Sequence, residues 1–563
     1  EKGLWKLLWI PPSMPYTKPS GAYAMSEGLS KSVIFSSWNA VPDAIATLGS
    51  YEAERRMVKG TLREEGYHRE IPQHINYDKR TDKRQVLAWA LPFPTLAEKI
   101  DPLQITLTVG LGKSSTVRML LKEANEIIKD LLKPLRPLHP SSGTDFRWYW
   151  LAPMLLENSL SDYKKWIENL PCLLEKVGES TALVENIKFH TDEALRLMTA
   201  DPSELGGFPR DLAEFITQVA LGSPGTCVLR ALNRRFSPAT IEERFSIWNT
   251  AFQTSNAFRT IYNSPEVTSM LGKMVKGRSF LRKTLKYNID GNFQSVLDEY
   301  THHLAETPNN RFKAFDTRLT EIGKEIQSVL SIKTSQLSVD EISVEGNKIY
   351  KKDFQVRTRF ALRYGEIVEE ESKAVKRATT VRDAFNSPFR PFILASTSVG
   401  QEGLDFHQWC HSIIHWNLPS NPVDLEQREG RIHRYKNLAI RRNVAEVYGL
   451  KELQKWDGTG DPWGYMFQAA RSDNLDKPEL IPYWIFDKGS TKIQRRIPLL
   501  PFSREEIKID QLKRGLSLYR LAFGQPRQSD LLDHVDLGQG ESVDYHKHLI
   551  SLAPPNTVGQ VEK

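Results

Sequence analysis

Two textures alternate along this chain, and the points where they switch constrain the fold more than any single motif. "SVIFSS" (32–37), "PFILAST" (391–397) and "SIIHWNLP" (412–419) are short apolar runs bounded by Pro, Ser and Gly. Runs of that length with β-branched members suit strands buried on both faces, as in a parallel sheet. Helical patterns sit beside them. "WNAVPDAIATLGSYEAERRMV" sets Val41, Ile45, Leu48 and Tyr51 at helical spacing, "FQVRTRFALRYG" reads as a strand and "EEESKAVKRATTVRDAF" as a helix. From about 61 to 353 the texture differs: "VRMLLKEANEIIKDLLKPL" and "FKAFDTRLTEIGKEIQSVLS" carry apolar residues three and four apart. The economical account is an α/β domain with a parallel sheet, built from 30–60 and 354–450. A mostly helical insertion, 61–353, interrupts it. A connector rich in Pro, Gly and Ser, 1–29, precedes it, and a mixed extension, 451–563, follows.

With 563 residues, 40% of them hydrophobic, the chain can bury several cores, and a net charge of +7 permits a polyanionic partner without requiring one. Three cysteines, Cys172, Cys227 and Cys410, are too few and too far apart for a disulfide framework, which suits a reducing, cytoplasmic setting. No apolar run approaches the roughly 20 residues of a membrane span, so no membrane partner is expected. The opening "EKGLWKLLWIPPSMPY" lacks signal-peptide regions and begins without Met, which suggests a piece of a longer protein.

The chemistry concentrates late in the chain. "ILASTSVGQEGLDF" (393–406) is an apolar run that opens into hydroxyl-bearing residues and two glycines, where backbone N–H groups can approach a ligand at the carboxyl edge of a sheet. "DLEQREGRIHRY" (424–435) follows with three arginines and a histidine. If it is helical throughout, Gln427, Arg431 and Arg434 share one face. Two guanidiniums converging on one place suit a polyphosphate, because arginine stays charged, grips phosphate oxygens bidentately and stabilises a transferring phosphoryl group.

"VIFSSW", "STSVGQEGLDF" and "QREGRIHRY", in that order, resemble motifs IV, V and VI of the second RecA-like lobe of superfamily-two helicases and translocases. The likeness is nearest to bacterial helicase-related ATPases of the Swi/Snf and RapA-like group. The resemblance implies that Arg431 and Arg434 are arginine fingers, that Gln427 contacts nucleotide, and that Gly403 and Asp405 couple nucleotide to nucleic acid. Ser396, Thr397 and Ser398 would lie nearest the nucleic-acid phosphates. It further implies ATP and Mg²⁺, held mainly by an N-terminal RecA-like lobe of the same full-length protein, and DNA as partner, with RNA left open.

A complete member of that group carries a Walker A loop and a DExx motif. The nearest approach to the first is "TVGLGKSST", which has Leu107 where the loop requires glycine, and "LDEY" (297–300) lies in a helical pattern and reads as a solvated face. On this reading the chain is the C-terminal half of a motor and does not hydrolyse ATP alone. "HQWCHSIIH" offers His407, Cys410, His411 and His415, but a strand would direct them to different faces, so packing is expected and no metal site. "GKMVKGRSFLRKTLKYN" gathers Lys273, Lys276, Arg278, Arg282, Lys283 and Lys286 with aromatic residues, a pattern open to a nucleic-acid track or to a solvated face. The competing functional class is a non-catalytic nucleic-acid-binding or scaffold module that keeps the lobe fold.

Overall fold

A computed structural model describes residues 3–58, 73–78, 85–109, 115–137, 143–176, 178–199, 204–306, 313–331, 336–346, 348–357, 360–364, 379–397, 405–499 and 501–522. The chain divides into two units: a helical one from Glu1–Leu29, Glu52–Lys333 and Tyr448–Met466, and an α/β one from Ser30–Tyr51, Thr334–Val447 and Phe467–Lys563.

The α/β unit is organised by a five-stranded sheet. Its strands are β1 (Lys31–Phe35), β4 (Ala361–Tyr364), β5 (Ile393–Ser396), β6 (Cys410–His415) and β7 (Gln494–Arg496), in the order β4-β5-β1-β6-β7. Every neighbouring pair is parallel, and Phe35 stands in register with Ser396 on one side and His415 on the other. Val33, Leu394 and Ile413 have no or almost no exposure, as expected of strands covered on both faces. The fold class is therefore a parallel-sheet α/β lobe accompanied by a mostly helical unit.

Several local readings change. The helix Ala40–Val58 forms, but its stripe of larger apolar residues is not the packed one: Leu48 is 65% exposed and Tyr51 38%. Small residues face inward instead. Ser50 Oγ exchanges hydrogen bonds with the backbone N and O of Ala361, both at 3.1 Å, and a Cβ on Gly49 would stand 3.3 Å from that of Ala361. Close backbone approach, not side-chain volume, seats this helix on β4. "FQVRTRFALRYG" is not one strand. Its first part closes an antiparallel hairpin, β2 (Gln336–Glu345) with β3 (Lys348–Arg357), and β4 starts afresh in the other sheet. Most of the hairpin lies in the stretch read as helical; Gly346, at φ 62° just after β2, is the local turn signal that outweighed the helical context. β7 falls within the stretch read as a C-terminal extension.

The N-terminal stretch read as a connector is packed: Leu7, Trp9, Ile10, Tyr16 and Tyr23 are each no more than 2% exposed. They belong to the helical unit, whose helix Phe293–Glu306 overturns the solvated reading of "LDEY". Leu297, Glu299 and Tyr300 have no exposure and Asp298 only 4%. Each acid has partners that hydrophobic periodicity cannot reveal. Glu299 accepts from Ser13 N at 2.8 Å and Ser13 Oγ at 2.6 Å. Asp298 accepts from Tyr16 at 2.6 Å, Gln294 at 2.9 Å and the guanidinium of Arg234, which also grips Asp101 at 2.6 Å.

Arg234 thus neutralises two buried carboxylates. Its replacement by Ala is expected to cost the helical unit on the order of 3–5 kcal/mol, because the acids lose their cation in a desolvated site. Urea unfolding followed by tryptophan fluorescence measures this. Adding Asp298→Asn to the Arg234→Ala background is expected to recover part of the loss.

Candidate functional site

The carboxyl ends of β1, β5 and β6 lie side by side, where the backbone turns out of the sheet. Ser36 N donates to Ser396 O at 3.1 Å, Trp416 N to Phe35 O at 2.8 Å, and Ser37 N to the Asn417 side chain at 2.8 Å. A short helix, Pro422–Gly430, then begins with Asn421 as N-cap, accepting from Asp424 N at 2.8 Å, and with Pro at its first position, whose missing N–H costs nothing there. Its last turn delivers two arginines to the end of β1. Arg428, 1% exposed, donates to Asn417 O at 3.1 Å, and the guanidiniums of Arg428 and Arg431 stand 5.7 and 5.8 Å from the Phe35 ring centroid. Burial lowers the pKa of both below the ordinary arginine value. A desolvated guanidinium on an aromatic floor is held in place and interacts strongly with any anion that reaches it.

The segment after Gly403 is tied to the same place. Phe406 N donates to Arg431 O at 2.9 Å, and Arg434 Nε pairs with Asp405 Oδ1 at 2.8 Å. Both members of that pair are part-exposed, at 42% and 44%, and Asp405 O accepts from Asn386 at 2.7 Å. Downstream, Leu438 N donates to His407 O at 3.1 Å, and Arg441 donates to Lys436 O at 2.8 Å and to Gln408 O.

Arg431, Arg434 and Asp405 are therefore brought together, but not by a shared helix face. The helix ends at Gly430, Arg431 is its C-cap, and Arg434 lies in the turns beyond, where backbone bonds to the preceding segment replace helical spacing as the cause. Gln427 is exposed on the helix. Ser396 is 1% exposed and registered inside the sheet, so its side chain does not present itself to solvent, while Thr397 is half-buried just past the strand. Ser398 and Gly403 lie outside the described residues, as does "GLGKS" (110–114).

The basic cluster belongs to the helical unit, and much of it is spent locally. Arg282 pairs with Asp211 at 3.0 Å and lies 5.2 and 4.8 Å from the ring centroids of Tyr149 and Phe215. Arg278 reaches Asp211 at 2.9 Å, Lys273 donates to Val58 O at 3.2 Å, Lys283 to Gly272 O at 2.6 Å, and Lys286 pairs with Asp290 at 2.8 Å. Lys276 is exposed. Sequence reasoning missed Arg428 and the ring floor of Phe35. Arg428 lies within the same "QREGR", and its place at the buried end of a short helix was the signal available.

Arg428, Arg431 and Arg434 give this edge fixed positive charge; a Mg²⁺ ion would need clustered oxygen ligands. Among the described residues no group of three or more His, Cys, Asp or Glu is placed to hold a metal ion. His411 and His415 are buried along β6 and His407 is half-buried on its approach, His415 standing 3.5 Å from Glu429. Arg495 also pairs with Glu429, at 2.7 Å, and although burial opposes ionisation, His415 and Arg495 hold Glu429 down to about 2.

Residues 349–436 match the helicase conserved C-terminal domain family. A 54-residue stretch is 43% identical to the uncharacterized ATP-dependent helicase YqhH of Bacillus subtilis (strain 168), covering 10% of this chain and 9% of that protein. No solved structure matches. The family match begins in β3 and ends at Lys436, so it omits β1, the strand at the centre of the sheet.

Burial, reinforced by neighbouring arginines, holds His407 and His411 down to about 3. In the unfolded chain they titrate near 6.5, so the unfolded state takes up protons first as pH falls. Stability of the α/β unit is expected to be full above pH 6.5 and to fall between 6.5 and 3, by at most about 1.4 kcal/mol per pH unit per histidine. Urea midpoints at pH 7, 6 and 5 measure the slope, and His411→Asn is expected to flatten it.

Proposed function

We propose that this chain, which carries a helicase C-terminal lobe, is the second RecA-like motor lobe of an ATP-dependent DNA helicase or double-strand translocase, close to the bacterial ATPases of the Swi/Snf and RapA-like group. The observation that carries this reading is the Arg434–Asp405 pair, with Phe406 N bound to Arg431 O beside it. It joins the segment expected to meet nucleic acid to the arginines expected to meet nucleotide. The protein is cytoplasmic on this reading, its nucleic acid is DNA, and an N-terminal RecA-like lobe carries the Walker A and DExx residues.

ATP would lie between the two lobes, with Mg²⁺ held mainly by the first lobe and neutralising charge on the β- and γ-phosphate oxygens. The residues of this chain then act by position. Arg431, fixed over Phe35, presents a guanidinium that needs no reorganisation when charge develops on the transferring phosphoryl group. Arg434 is the mobile partner. Held by Asp405 through Nε and part-exposed, it exchanges carboxylate for phosphate when nucleotide arrives. Asp405, released from Arg434, passes the change of nucleotide state to the nucleic-acid side, the coupling role the resemblance gives to Asp405 and Gly403. Gln427, exposed on the helix, adds a polar contact to the nucleotide.

In the full-length protein, Arg431→Ala or Arg434→Ala is expected to lower ATPase turnover by about 10³-fold or more while nucleic-acid affinity hardly changes, since a finger contributes mainly in the transition state. Thr397→Ala and Lys276→Ala are expected to do the reverse, weakening DNA binding and reducing its salt dependence with basal turnover retained. Turnover and DNA affinity across a salt series measure both. Loss of DNA binding with full turnover in Arg431→Ala would instead favour the non-catalytic nucleic-acid-binding or scaffold module.

A further inference from the structure

Immediately after Arg434 the chain builds an aromatic stack with one end closed and the other open. Tyr435 stacks on Tyr483, with centroids 5.8 Å apart and planes 19° apart, and Tyr483 stacks on Phe467 at 5.8 Å and 13°. Trp484 meets Tyr435 edge-on at 6.1 Å and 62°. The inner end is sealed. Phe467 and Lys436 are each 2% exposed, and the Lys436 ammonium lies 4.1 Å from the Phe467 centroid and 5.6 Å from those of Tyr435 and Tyr483. The outer end is not: Tyr435 is 38% exposed and Trp484 44%.

The backbone enforces this division. Lys436 adopts φ 46°, an uncommon conformation for a side chain of its size, and its N–H donates to Tyr483 O at 2.7 Å while its carbonyl accepts from Arg441 at 2.8 Å. The left-handed turn lets consecutive residues take opposite roles. Lys436 goes under the rings as a buried cation, and Tyr435 is held at the surface, its ring already ordered by the stack and the cation beneath it. An exposed aromatic pair fixed in advance loses little entropy when a planar group settles on it.

The chemistry next door decides what that planar group is. Arg434 precedes Tyr435 directly, is part-exposed, and pairs with Asp405 through its Nε. A ligand that satisfies both neighbours carries a flat heteroaromatic ring at one end and phosphate anions at the other. The geometry points to Tyr435 and Trp484 as the wall against which the base of the nucleoside triphosphate stacks while Arg434 meets its phosphates. This rests on the nucleotide role proposed for Arg434 and assigns the contact that grips the base to Tyr435, at the very end of the matched family region, and to Trp484, outside it.

Equilibrium binding of ATP and of inorganic triphosphate to the full-length protein separates the two parts of the ligand. Tyr435→Ala is expected to weaken ATP roughly tenfold, within the range for losing one base–aromatic stack, and to leave inorganic triphosphate unchanged. Trp484→Ala follows the same pattern, Tyr435→Phe keeps ATP affinity because the ring remains, and Arg434→Ala weakens both ligands. Equal loss of ATP and triphosphate in Tyr435→Ala, or unchanged ATP affinity, overturns the base wall while leaving the reading of Arg434 intact. Unchanged ATP with weakened binding of an oligothymidylate overturns it too, and makes the platform a single-strand contact. If wild-type protein binds neither ATP nor triphosphate, the nucleotide role of Arg434 fails, and the base wall with it.

Discussion

The parallel pairing of β1 with β5 on one side and β6 on the other is the contact on which the α/β unit depends. It closes the sheet at its centre, and it ends at Phe35, the ring beneath Arg428 and Arg431. Without β1, β5 and β6 would be two exposed edges, and both guanidiniums would lose their floor. The strand comes from far away in sequence, yet the entropic cost of closing a long loop grows only with the logarithm of its length. A compact helical unit between the two halves lowers that cost further, since much of the intervening chain is ordered by its own packing.

The helical unit solves a different problem. Its helix Phe293–Glu306 is buried almost throughout although it contains Asp298, Glu299, His302 and His303. Arg234 and Ser13 supply donors to Asp298 and Glu299, while Arg230 donates to the Gln294 side chain on the same helix and to the carbonyls of Ala97, Ile100 and Ala220, each of the three at 2.9 Å. Asp461 joins from the Tyr448–Met466 segment, bonding His302 at 2.5 Å and Arg235 at 3.1 Å. Such a network contributes less to net stability than to uniqueness, because any slip of one helix strands a charge without a partner.

Strand runs flanked by turn residues, such as Lys31–Phe35, Ile393–Ser396 and Cys410–His415, were legible because each is a local pattern. Periodicity pointed to the wrong face of Ala40–Val58, since the packing there is set by Gly49 and Ser50 against Ala361, a relation between segments that no local count contains. The buried character of "LDEY" escaped for the same reason, its partners Ser13, Tyr16 and Arg234 being distant in sequence. At the candidate site the residue types were legible and the mechanism of convergence was not. Helical spacing was credited with bringing Arg431 and Arg434 together, whereas the helix stops at Gly430 and backbone and ion-pair bonds to Asp405 and Phe406 set their positions.

The interleaving of the two units bears on how a ribosome-borne chain reaches this structure. The chain passes between them after Leu29, Tyr51, Lys333, Val447 and Met466. During vectorial synthesis β1 emerges first among the sheet strands and must wait, unpaired, until β5 and β6 are made. The helical unit in turn lacks Tyr448–Met466 until after those strands have left the tunnel, so Asp298 and Arg234 can find each other early while His302 and Arg235 await Asp461. Neither unit can finish before the other is nearly complete, and β1, an apolar strand with both edges open during that interval, is the segment most in need of a chaperone's shelter.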